Sequence, residues 1–228
     1  MKNPKKNRKI TALLIFFFTI QMIFPQQPSF RNKIRIKMWA PLDAYPGVEE
    51  QKGDQFQNAV DKIKEAVPFV LDGMVYGWSF DYTPGDKARG VKEYFSAEPV
   101  RNLEKSERPV FSSPQVEEPN LTVWVDFVRS KAQSDYFDHW ASLEHPQVKG
   151  RGTGALKSGF DGIKDAYSSA ILDAVYNYVH ARLKNKPKEV TGRVLIFKEP
   201  RMYVVAGQYN LELDFFLEVD RIVVYSKF

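Results

Sequence analysis

Two periodicities that cannot share one element follow each other in the C-terminal part of the chain. From Ile163 the apolar residues Ile163, Ala166, Tyr167, Ala170, Ile171, Ala174, Val175, Tyr178 and Leu183 recur at the spacing of one helix face. From Gln208 to Asp220 the period drops to two, with Leu211, Leu213, Phe215, Leu217 and Val219 alternating against Asn210, Glu212, Asp214, Glu218 and Asp220. Strand-like runs at Glu189 to Lys198, Arg201 to Ala206 and Ile222 to Tyr225 flank it across short turns, which predicts an antiparallel meander with one polar face. A long amphipathic helix beside such a sheet defines an α+β chain.

The same order occurs earlier. Lys33 to Trp39 alternates polar and apolar, and Phe56, Ala59, Val60, Ile63 and Val67 then mark a helix that Asp54 caps and Pro68 ends or kinks. Asp72-Gly73 reads as a break, Met74 to Tyr82 as a strand, and Val91 to Phe95 as a short return strand after Pro84-Gly85. Gly73-Met74-Val75 answers Gly192-Arg193-Val194. The expected fold is therefore mainly antiparallel sheet with two amphipathic helices packed on one face, in an order open to two β-α-β-β units. Four prolines between Pro99 and Pro119 mark residues 99–119 as a linker or surface loop between a first half, 28–98, and a second, 120–228. The second half holds a strand at Leu121 to Val128, a Gly-rich loop at 150–159, the long helix and the meander.

Residues 1–27 stand apart. Lys2, Lys5, Lys6, Arg8 and Lys9 precede an uncharged run from Ile10 to Phe24. Fifteen helical residues span roughly 22 Å, short of the ~30 Å hydrocarbon core, so a signal peptide is expected, with an uncleaved inner-membrane anchor at 10–24 as the other reading. Either places the body outside the cytoplasm, in the periplasm or beyond. The leader also carries the charge: of 33 basic and 28 acidic residues, removing those five basic ones leaves 28 of each sign. An interleaved, neutral body lacks the basic footprint that nucleic acid requires. Membrane contact is expected only through the N-terminal segment.

Catalytic chemistry is narrowed mainly by what is missing. The chain contains no cysteine, which excludes disulfides, thiolate zinc sites and a thiol nucleophile. Gly77-Trp78-Ser79-Phe80-Asp81 ends in Asp where a nucleophile elbow needs Gly. Gly150 to Ser158 looks like a phosphate loop but has Leu156 where glycine must precede Lys-Ser.

Two clusters keep a chemical reading. Asp138, His139, Glu144 and His145 combine imidazole and carboxylate within eight residues, a donor set that would suit a divalent metal and a metal-activated water, although the spacing matches no established signature. Trp39 with Asp43, Trp78 with Asp81 and Trp124 with Asp126 pair an aromatic face with carboxylates, as sugar binding or glycosidic cleavage requires. His180 falls opposite the apolar face of the long helix and is expected to be exposed. The leading expectation is a non-enzymatic envelope module that binds a protein partner and needs no cofactor. A glycan-binding or glycan-cleaving protein and a metal-dependent hydrolase are the alternatives.

Overall fold

The alternation at Lys33 builds the first strand of a three-stranded sheet. The computed structural model describes residues 32–43 and 54–225; the expected leader lies outside them. Strand β1 (Lys33–Pro41) buries Ile34, Ile36, Met38 and Ala40 and pairs antiparallel with β5 (Asn120–Val128), which pairs in turn with β4 (Val110–Glu117). A second, larger sheet has the order β3-β2-β7-β9-β6, from β2 (Trp78–Thr83), β3 (Tyr94–Pro99), β6 (Gln147–Ala155), β7 (Glu189–Ile196) and β9 (Gln208–Val223). Its sixth strand, β8 (Arg201–Val205), pairs with the start of β9. Every recorded pairing is antiparallel. Because β7 and β8 both lie along one side of β9, the C-terminal strands form a long interrupted hairpin rather than a simple meander.

Helix α1 (Gln55–Val75) begins where expected, with the Asp54 carboxylate accepting from the Phe56 backbone N–H. It does not end at Pro68. A proline inside a helix costs about 3 kcal/mol, but Val70, Leu71, Met74 and Val75 are all buried on the far side of it. Each such side chain gains roughly 1.5–3 kcal/mol on burial, so packing carries the helix through. Gly77 terminates it instead, at φ +80°, where a Cβ would meet the Val194 carbonyl oxygen. Gly73-Met74-Val75 is thus helical while Gly192-Arg193-Val194 lies in β7, and the two triplets are not structurally equivalent.

The Gly-rich segment is a strand, not a loop. Gly150, Gly152 and Gly154 of β6 face α3 (Phe160–Arg182), and a Cβ on any of them would come within 1.8–2.0 Å of the carbonyl oxygens of Ala170, Ala166 and Gly162. Glycine lets the helix backbone lie directly on the strand. A third helix, α2 (Lys131–Trp140), packs on the opposite face of the large sheet, where Trp140 meets Leu195 and Phe216. Helices α1 and α3 share the main core, which includes Ile36, Leu71, Trp78, Val125, Ile171 and Leu213 and so draws on both sheets.

The expected linker is also partly strand, since β4 occupies Val110–Glu117. Its N-terminal approach is tied down: buried Asp72 accepts from the Leu103 N–H at 2.7 Å, and Glu107 accepts from the Tyr76 hydroxyl and from Gln133.

Candidate functional site

The outward face of the three-stranded sheet carries the residues that its buried face excludes. Strand alternation places Lys33, Arg35, Lys37 and Trp39 of β1 opposite Val128, Asp126, Trp124 and Thr122 of β5. Trp39 and Trp124 are therefore diagonal neighbours on one face. The Arg35 guanidinium lies 4.8 Å from the Trp124 ring centre, Lys33 pairs with Asp126 at 3.0 Å, and Lys37 pairs with Glu117 of β4 at 2.6 Å. The Trp39 indole N–H donates to the Met202 carbonyl.

The three Trp/Asp pairs do not converge. Trp78 is 2% exposed and packs against Phe69 and Tyr167 in the core, out of reach of any ligand, while Asp81 points to solvent from β2. Asp43 is exposed and accepts from Gln55. Only Trp39, Trp124 and Asp126 come together, and Arg35 already covers the Trp124 ring.

At the end of α2 the two imidazoles do meet. The rings of His139 and His145 are 5.1 Å apart, and buried His145 stacks 4.7 Å from Trp140 with Nδ1 3.3 Å from the Ser142 hydroxyl. The carboxylates do not complete a site. Asp138 acts on the buried Arg129 guanidinium, which burial draws down to about 10 and Asp138 pushes back up; Glu144 is exposed. Among the described residues no group of three or more His, Cys, Asp or Glu side chains is arranged to hold a metal.

A cleft of about 90 Å³ opens beside the end of α3, lined by Tyr82, Glu93, Tyr176, His180, Lys184 and Lys186 among others. Small-molecule sites start near 300 Å³. Within the cleft Tyr82 donates to Glu93, and burial together with Glu93 raises the Tyr82 phenol far above its ordinary value. His180 is exposed, as its helix position requires. The polar face of β9 is neutralised from within the fold: Glu212 pairs with Arg151 and Arg201, Asp214 with Lys149 and Lys198, and Glu218 with Arg193.

The strand that sequence reasoning placed in a linker is the least covered element. Val110, Phe111 and Val116 of β4 are 63%, 42% and 49% exposed. Phe111 and Val116 stand opposite Val125 and Leu121, so they continue the buried face of the sheet beyond the reach of α1. The side of β4 away from β5 pairs with no strand among the described residues. The only sequence signal was Val110-Phe111 and Val116, and the surrounding prolines masked it.

These features define an α+β protein with a sheet edge that pairs with no other strand among the described residues. A protein-family model matches residues 22–225. An uncharacterised protein of Treponema pallidum (strain Nichols) is 32% identical over 201 residues, 85% of this chain and 82% of that protein. No solved structure matches. The chain belongs to this family of uncharacterised proteins.

Proposed function

We propose that the protein is an exported, non-enzymatic module of the cell envelope that binds a protein partner along β4. The observation that carries this reading is the state of that strand: its outer edge pairs with no strand among the described residues, and two apolar side chains on the core-facing side, Phe111 and Val116, stay 42% and 49% exposed. An open edge offers a row of backbone donors and acceptors to an added strand, and the apolar pair supplies the desolvated contact that gives such pairing affinity. The other strongly charged surfaces are largely paired internally, and the cleft by Tyr82 is too small for a substrate of ordinary size.

Export is supported by the basic start and the apolar run from Ile10 to Phe24, and by a family match that begins at residue 22, near the end of that run. No helix among the described residues is long and apolar enough to cross a membrane.

A photo-crosslinking amino acid at Val110, introduced into the full chain in living cells, tests the binding surface. Discrete adducts are expected from Val110, with none from the same group at exposed Lys157. Equal labelling from both positions, or none from Val110, overturns the reading. A fused alkaline phosphatase, active only outside the cytoplasm, tests export in the same cells; an inactive fusion overturns it.

A further inference from the structure

We propose that the partner on β4 is a second copy of the same chain, the two β4 strands pairing antiparallel about a twofold axis between Ser113 and Pro114. This rests on β4 being the binding surface and adds the identity of its occupant.

The argument comes from the irregularity in the strand. The register of β4 against β5 shifts between Ser112 and Gln115, and Ser113 has a positive φ of 50°. The shift has a geometric consequence. Ser112 and Gln115 both stand opposite outward-facing residues of β5, Trp124 and Thr122, while Phe111 and Val116 both stand opposite inward-facing ones, Val125 and Leu121. In a regular strand, residues five apart point to opposite faces and opposite edges. Here the bulge brings 111 into phase with 116 and 112 into phase with 115.

Two copies can therefore pair with Phe111 opposite Val116 and Ser112 opposite Gln115, each contact occurring twice. Side-chain face and hydrogen-bonding phase agree on both sides of the axis, as an isologous interface requires. The apolar pair on one copy covers the apolar pair on the other. Pro114, which has no N–H to give, falls in the bulge where the ladder is already interrupted. Charge agrees with the same alignment: Arg108 lies just before β4 and Glu118 just after it, so antiparallel pairing sets the basic end of each copy beside the acidic end of the other, while Glu117 stays with Lys37 of its own chain. The three-stranded sheets would join into one of six strands.

The absence of cysteine makes the test clean. Two full-length variants, Ser112→Cys and Gln115→Cys, are mixed in detergent and oxidised. The proposal expects a mixed disulfide at least about tenfold faster than between Ser112→Cys and a Ser158→Cys control, since a paired strand raises the local thiol concentration toward millimolar. Adding Phe111→Asp to both partners should return the rate to the control while the circular-dichroism spectrum and thermal midpoint stay those of the parent, which separates a lost interface from a lost fold. A rate equal to the control without that change overturns the homodimer. The Val110 photo-adduct separates the two ideas: adducts of twice the chain mass support self-pairing, and adducts of other masses alone overturn it while leaving β4 as a binding surface.

Discussion

Gly152 of β6 lies so close to the Ala166 carbonyl of α3 that a Cβ on the glycine would sit 2.0 Å from that oxygen. The contact is backbone to backbone, and no side-chain rotation relieves it. Gly152→Ala must push the helix off the strand, with a cost of at least about 1–3 kcal/mol, the usual range for overpacking. Urea denaturation reads this directly. Thr153→Ala, at the adjoining exposed position, should stay within roughly 0.5 kcal/mol of the parent. Equal midpoints for the two variants would mean that the helix does not rest on this strand.

Asp72 gives the fold a pH dependence of known sign. Burial raises its pKa above the ordinary carboxylate value and nearby Glu107 adds to this, while the hydrogen bond from Leu103 opposes both. With the folded pKa above the unfolded one, the native state binds more protons between the two values. The contribution of Asp72 to stability is therefore fully present below the unfolded pKa and is lost as pH rises through the folded one. Asp72→Asn keeps an acceptor for Leu103 and removes the titration. Denaturant midpoints across the acidic range should show the parent gaining on the variant as pH falls. A difference that stays flat or shrinks would remove Asp72 as the source.

Trp140 is the anchor of α2. It is 1% exposed and meets Leu195 and Phe216 on the face of the large sheet opposite α1 and α3. Trp140→Ala should cost about 3–5 kcal/mol, as for other large aromatic truncations in a core. Leu143, fully exposed just beyond the helix, should be replaceable by Ser with a change of roughly 0.5 kcal/mol or less. Thermal unfolding of the two variants separates an anchored helix from a loosely attached one.

The elements visible in the sequence are those whose pattern reports one buried face. β1, the start of α1, and α3 each alternate or repeat cleanly and stand where the pattern put them, and β9 does so through Asp220 but then runs on to Val223, taking in residues expected to form a separate strand. The elements that escaped are those whose pattern serves a different contact. In β6 the inward face is glycine, because a helix backbone rather than a side chain packs on it, so no apolar period exists to be seen. Pro68 reads as a stop because local propensity knows nothing of Leu71 and Met74 being buried beyond it. In β4 only three apolar residues, Val110, Phe111 and Val116, mark the strand, at no regular period, and three prolines at 109, 114 and 119 outweigh them. Of the candidate site residues, proximity in sequence brought His139 and His145 together, whereas nothing local could reveal that Trp78 faces the core and Trp39 and Trp124 the outside.

The imidazole pair makes the last prediction. His139 and His145 are near enough to share an ion, but His145 is held between Trp140 and Ser142, Asp138 is engaged with Arg129, and no third ligand joins them among the described residues. Two imidazoles alone, one of them buried, leave a zinc ion short of protein ligands, whereas a structural site needs four and a catalytic one three. A ligand that binds only the native state at a hundred times its Kd adds about 2.7 kcal/mol to stability. Adding micromolar zinc to the purified protein, or removing it with chelator, is expected to leave the thermal midpoint where it was. His139→Ala, which spares the packed ring of His145, should behave identically. A rise of several degrees with zinc, abolished by His139→Ala, would show that the loop from Ser142 to His145 closes around the ion and supplies the ligands this geometry lacks.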